Sequence, residues 1–111
     1  MHLIDVRCSD CGAQPAFWYN VGEHQYNLRC KTCAVTCNSA AKLKGESYPY
    51  TPLIKDFFYY ADGVKTRHVK RMVPASPSEW MVFYTEAGDD KEKFCSAGIF
   101  HTWIVKNGAC I

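Results

Sequence analysis

The sequence predicts a small α+β protein, with an N-terminal metal finger made of a β-hairpin plus helix joined to a small mixed α/β segment. Three observations carry this. Two Cys-x-x-Cys pairs, Cys8 with Cys11 and Cys30 with Cys33, stand eighteen residues apart. The stretch between them is rich in strand formers around a glycine turn. The stretch after them is alanine-rich and closes on lysines and Gly45. The division expected is residues 1–45 for the finger and residues 46–111 for a small α+β domain that carries a basic segment at 64–73.

The cysteine pairs come first because they set the chemistry. Tetrahedral zinc takes four ligands, and each Cys-x-x-Cys turn supplies two sulfurs from one tight loop. Cys8, Cys11, Cys30 and Cys33 are therefore the expected ligands of one structural zinc. Four thiolates leave no open coordination position for catalysis. A thioredoxin-like redox site would need a single Cys-x-x-Cys beside a βαβ pattern, which is absent. Cys37, four residues after Cys33, is a weaker alternative ligand.

Composition bounds the rest. The chain has 111 residues, 48% hydrophobic and 14% aromatic, which excludes a disordered chain and allows one compact domain or a finger with a small domain attached. A chain this size buries only about 60–70% of its unfolded surface. A structural zinc, worth on the order of 10–16 kcal/mol of apparent folding free energy, would then hold the first third together. The formal charge of +2 is too mild to imply nucleic acid by itself. No run approaches eighteen apolar residues, and the first seven residues carry neither a long apolar core nor a cleavage pattern, so neither a membrane span nor a signal peptide is expected. Seven cysteines, four in zinc spacing, fit a reducing cytoplasm (or a nucleus, in a eukaryote) better than a disulfide scaffold.

Within the finger, Leu3, Ile4 and Val6 lead into the first cysteine loop as a short strand. Ala16-Phe17-Trp18-Tyr19-Asn20-Val21 and Gln25-Tyr26-Asn27-Leu28-Arg29 form a hairpin turning at Gly22-Glu23-His24. Trp18 and Tyr26 read as hairpin core more than as stacking platforms, and His24 as a surface residue. The run from Ala34 to Lys44 is a helix stopped at Gly45. Cysteine loop, hairpin, and cysteine loop at a helix start is the order of a treble-clef or zinc-ribbon finger. The residues CSDCGAQPAFWYNVGEHQYNLRCKTC resemble the GATA-type zinc finger. They share the Cys-x-x-Cys-Gly-Ala opening, the hairpin tryptophan, the aromatic-x-Leu-x-Cys approach to the second pair, and the helix after it. The resemblance covers residues 8–45 and implies a treble-clef fold, with hairpin and helix set to meet DNA. Tyr19-Asn20 stand where that family carries basic residues, and its basic tail is absent. This moves the expected DNA contact downstream.

Downstream, Thr51-Pro52 resembles a helix start, and Leu53, Ile54, Phe57, Phe58 and Ala61 share one helical face. A hairpin turning at Asp62-Gly63 is the competing reading. Residues 64–73 are the most basic stretch. As a helix they would group Arg67, Lys70 and Arg71 on one face, and Lys65 would fall at the open first turn. Helix, glycine turn and basic helix outline a helix-turn-helix, against which the bulk of Tyr59 counts. Ser76-Pro77-Ser78-Glu79 is a capping-box pattern, although Trp80 to Thr85 are also strong strand formers. The helix is slightly preferred. Asp89 to Lys93 read as a charged loop, and 94–97 and 99–105 as strands broken at Gly98. Cys95, His101 and Cys110, with His68, invite a second metal site, but their spacing fits no loop pair. A Cys95–His101 nucleophile lacks a group to orient the histidine.

The expected function is thus non-enzymatic. The leading reading is a small zinc-binding regulator that binds nucleic acid, DNA first, through Arg67, Lys70, Arg71 and Lys65, with Lys31, Lys42 and Lys44 around the finger. The alternative is a protein-interaction module, an adaptor or inhibitor of a larger machine, with purely structural zinc. Neither reading involves a membrane or a small-molecule substrate.

Overall fold

A computed structural model describes residues 6–20, 27–61 and 63–108. The Leu3-Ile4 start, the hairpin tip with His24 and Tyr26, Asp62 and Cys110 lie outside the described residues. The described elements are β1 (Trp18–Asn20), β2 (Leu28–Arg29), α1 (Lys31–Leu43), β3 (Tyr50–Thr51), β4 (Phe58–Tyr59), β5 (Arg67–Ser76), β6 (Glu79–Glu86), β7 (Asp89–Ser96) and α2 (Ala97–Asn107). They form two antiparallel sheets, ordered β2-β1-β3 and β4-β5-β6-β7, and two helices.

The first half follows the sequence reading. β1 pairs with β2, with Trp18 opposite Arg29. α1 begins directly after Cys30 and is ended by its glycine. Gly45, at φ +72°, donates its N–H to the Lys42 carbonyl, and Glu46 donates to Ala41. These paired bonds satisfy carbonyls that the last helical turn leaves open, and only the left-handed region, costly for any side chain, permits them. β3 adds to the other edge of β1, so the segment after α1 completes the finger's sheet.

The second half departs from it. No helix spans 52–61. Leu53 is fully buried, the Ile54 N–H donates to the buried Tyr59 hydroxyl (2.7 Å), and β4 pairs with β5, which is closer to the hairpin reading. The bulk of Tyr59, awkward in a helix-turn-helix, is what this arrangement buries. The basic stretch is likewise a strand, so neither the basic helix nor the helix-turn-helix exists. Val69 and Val73 prefer an extended backbone, and the long pairing with β6 satisfies it. Ser76-Pro77-Ser78-Glu79, expected to cap a helix, is the hairpin turn. Ser76 pairs with Glu79, and the Ser76 hydroxyl accepts from the Ser78 N–H (3.3 Å) instead of capping a helix. β6 then alternates as a strand should, with Trp80, Val82 and Tyr84 buried and Met81, Phe83 and Thr85 half-exposed.

Two further corrections concern the C-terminal third. Asp89 to Lys93 belong to β7, an edge strand whose charges discourage pairing with other chains. Residues 97–107 are helical, despite their β-branched and aromatic content. The Ser96 hydroxyl caps the helix by accepting from the Ile99 N–H (3.2 Å), and Gly108, at φ +60°, ends it. Ala97, Phe100 and Ile104, at helical spacing, are buried against the inner face of the four-stranded sheet. Phe100 meets Tyr59, Tyr84 and Trp103 edge-on, each with ring centroids 5.5 Å apart. Burial of this face outweighs local propensity.

Asn38 joins the halves. It is fully buried in α1. Its amide donates to the carbonyls of Tyr50 (3.0 Å) and Pro77 (3.1 Å), and its oxygen accepts from the Tyr50 N–H (3.0 Å). One side chain thus links α1, β3 and the β5–β6 turn.

Beside the core, Glu86 meets Lys93 and lies 3.7 Å from Arg67. The Lys93 hydrogen bond holds the Glu86 carboxyl below its ordinary range against the opposing effect of burial. A carboxylate with a lower pKa folded than unfolded contributes stability above its unfolded value of about 4.3, and that contribution is lost as pH falls through the folded value. Glu86→Gln is therefore expected to lower the melting temperature at pH 7 and to flatten its decline on acidification. A thermal scan from neutral to acid pH reads both. An unchanged acid slope would contradict the pairing.

Candidate metal centre and binding face

The sulfurs of Cys8, Cys11, Cys30 and Cys33 all lie within 4.8 Å of one another, and among the described residues no other set of three or more ligand-type side chains gathers in this way. Each knuckle is built locally. In the first, the Cys8 N–H donates to the Ala13 carbonyl (2.8 Å) and the Gly12 N–H to the Cys8 carbonyl (2.9 Å). Gly12 takes φ +74° to close the turn. The Asp10 N–H points at the Cys8 sulfur (3.4 Å). Ser9 fastens the loop to β2, its N–H and hydroxyl both donating to the Leu28 carbonyl (3.0 Å each). In the second, Cys30 precedes α1 and Cys33 lies in its first turn, where the positive end of the helix favours thiolates.

The geometry fits zinc. Zn–S bonds of about 2.3 Å in a tetrahedron put sulfurs about 3.8 Å apart. The Cys11 and Cys30 sulfurs are 3.7 Å apart. The thiols also show the proton competition expected of a crowded set. Burial raises the Cys8 thiol, but backbone hydrogen bonds from Cys11, Cys30 and Asp10 outweigh it and bring it to about 6. Hydrogen bonds with Cys30 and Cys11 push the Cys33 thiol up. A divalent cation replaces such shared protons and satisfies all four sulfurs at once. Arg29 stands beside the cluster. It pairs with Asp10, reaches the Cys37 sulfur (3.8 Å) and lies over the Tyr50 ring (5.2 Å). Cys37 is thus in contact with Arg29 and outside the four-sulfur group.

The expected basic face is split. Arg67 is turned inward, its guanidinium 4.3 Å from the Trp103 ring centroid and 4.5 Å from that of Tyr84, with Glu86 alongside. Arg71 faces the opposite side of the sheet, over the Phe83 ring (3.8 Å) and paired with Glu92 (3.1 Å). Lys70 sits at a β-bulge, where the register skips between Val69 and Arg71, and is exposed there. Lys65 is exposed in the loop before β5. Lys31, at the start of α1, and Lys42 and Lys44, at its end, are also exposed. Cys95 and His101 form no activated pair. Burial pushes the Cys95 thiol up. Burial also lowers His101 to about 4, and its Nε2 is committed to the Pro52 carbonyl (2.9 Å).

A surface that the helical reading concealed emerges instead. The four-stranded sheet is covered by α2 on one face only. Cross-strand partners share a face, so its other face carries three rows: Phe58, His68 and Thr85; Arg71, Phe83 and Phe94; Val73, Met81 and Ser96. Phe58 stacks on His68 with centroids 4.2 Å apart and planes 16° from parallel, and Tyr60 stacks on Phe58 at 6.4 Å. Phe58 is 48% exposed and Phe94 66%. The signal for this face was present as two-residue alternation in Met81, Phe83 and Thr85. No protein-family model matches this chain, and neither a curated protein nor a solved structure matches it.

Proposed function

We propose that the protein is a small zinc-stabilised module that binds single-stranded nucleic acid on the open face of its four-stranded sheet. A treble-clef finger of GATA-like type serves as its scaffold. The observation that carries this reading is the set of exposed, stacked rings on one face, Phe58 on His68 with Tyr60 beside them and Phe94 next to Phe83, together with Arg71. Bases stack on such rings, each contact contributing about 1–3 kcal/mol, and stacking requires a strand with unpaired bases. Lys70 and Lys65, exposed at the bulge and in the loop before β5, would supply phosphate contacts. Arg67 acts in the core in this reading. Zinc would be held by Cys8, Cys11, Cys30 and Cys33, leaving no position for substrate, so the metal would be structural, and in this reading the module is a binder and not an enzyme.

Anisotropy titration of labelled single-stranded and duplex oligonucleotides tests it. The single strand is expected to bind more tightly, with salt-sensitive affinity. Phe58→Ala and Phe94→Ala should each weaken binding about tenfold, the effect of losing one stacked base. No binding at low salt, or equal affinity of both variants and the parent, would exclude nucleic acid on this face.

A second reading has its own support. The Arg71–Glu92 pair neutralises the centre of the face, and Val73 and Met81 add apolar area, which suits a protein partner anchored on aromatic residues and arginine. The module would then be an adaptor or inhibitor. Salt-insensitive binding of a protein at this face, with no oligonucleotide competition, would favour it.

A further inference from the structure

A cleft of about 610 Å³ opens on the other side of the molecule, between the finger and α2. Its apolar wall is Phe17, Trp18 and Val105, and Lys31 and Lys106 stand at its margin with His101. None of the residues described as lining it is acidic. Cavities of about 300–1,000 Å³ with apolar walls and a few polar groups are the usual form of small-ligand sites.

Among the described lining residues the charge has one sign. His101 contributes none near neutrality. The Pro52 carbonyl can only accept, so the 2.9 Å contact fixes the proton on Nε2 and leaves Nδ1 with its lone pair. The ring packs on Phe17 at 4.9 Å, which holds its orientation. Lys31, whose charge is felt at His101, and Lys106 therefore form a cationic rim around an apolar wall with one neutral acceptor.

We infer that this cleft binds a small amphipathic acid, one anionic head group on an aromatic or short aliphatic body. The head group meets Lys31 and Lys106, and the body lies against Phe17, Trp18 and Val105. The site shares no residue with the open sheet face, so it stands whether or not that face binds nucleic acid. Because Lys31 directly follows Cys30, a ligand here also bears on the second cysteine knuckle.

The probe is 8-anilinonaphthalene-1-sulfonate, titrated by fluorescence into the zinc-loaded full chain. One saturable site is expected. Octanoate should displace the probe and octanol should not. Lys31→Glu combined with Lys106→Glu should raise the probe's Kd by about tenfold or more, since two attractive charges become repulsive. Val105→Trp, which fills the cleft from an exposed position on α2, should abolish binding while zinc content and melting temperature stay unchanged. It decides the question even if the lysine variant folds poorly. Absence of a saturable site, displacement by octanol as effective as by octanoate, or full binding by Val105→Trp would each overturn the assignment.

Discussion

Replacing Cys8 and Cys30 together with serine is expected to abolish zinc binding and to unfold the first half of the protein. The parent chain should carry about one zinc by elemental assay, and the double variant none. The loss is large because a structural four-cysteine site supplies on the order of 10–16 kcal/mol of apparent folding free energy, comparable with the whole stability of a domain this size. It also reaches beyond the finger. Cys8 is itself part of the hydrophobic core, in one cluster with Trp18, Leu53, Tyr59 and Phe100. Chelation of the parent should therefore produce one cooperative loss of near-ultraviolet dichroism covering tryptophans of both halves, Trp18 and Trp80. A double variant that keeps its metal would refute the ligand set. Chelation that leaves Trp80 in its native environment would show that the sheet folds without the finger.

Asn38→Ala is expected to be strongly destabilising. It strands the buried Tyr50 N–H and Tyr50 carbonyl and the part-buried Pro77 carbonyl. An unpaired buried backbone group costs about 1–3 kcal/mol, so the total is about 3 kcal/mol or more. In a chain of about a hundred residues this lowers the melting temperature by on the order of 10–20 °C. Asn38→Asp, nearly the same size, should be as harmful. A carboxylate can still accept from the Tyr50 N–H, but it donates nothing and sets its charge against two carbonyl oxygens. Denaturant unfolding of the three proteins measures this. A drop of less than about 1 kcal/mol, the net worth of one ordinary hydrogen bond, in both variants would mean the three bonds are dispensable.

The finger was legible in the sequence for a physical reason. Metal ligands, turn glycines and helix stops act over a few residues, so the cysteine cluster and the helix that ends at Gly45 could be read locally. The second half was not legible, because its conformation is decided across the chain. Trp80 to Thr85 carry strand formers behind a serine-proline-serine-glutamate sequence that suits either a helix cap or a hairpin turn. Only the pairing partners, Arg67–Ser76 on one side and Asp89–Ser96 on the other, decide between them. Ile99 to Val105 show the converse. β-branched and aromatic residues favour a strand, but Ala97, Phe100 and Ile104 cover the sheet only as a helix. The same difference redistributes the basic residues. A helix would have gathered Arg67, Lys70 and Arg71 on one surface. A bulged strand sends Arg67 inward and Arg71 outward, and exposes the aromatic rows instead.

The position of α2 after every strand it covers has a consequence for biosynthesis. Tyr84 lacks its edge-on contact with Phe100, and β6 its cover by α2, until Ala97 to Asn107 have left the ribosome. Asn38 likewise waits for Pro77, thirty-nine residues later. The cysteine knuckles are complete by residue 33, so metal can be captured while most of the chain is still being made. A nascent chain stalled before α2 would display that inner apolar face to solvent, the kind of surface that chaperones recognise. Metal capture at the knuckles therefore need not wait for the sheet to be sealed, whereas the finger's own sheet closes only once β3 has been made.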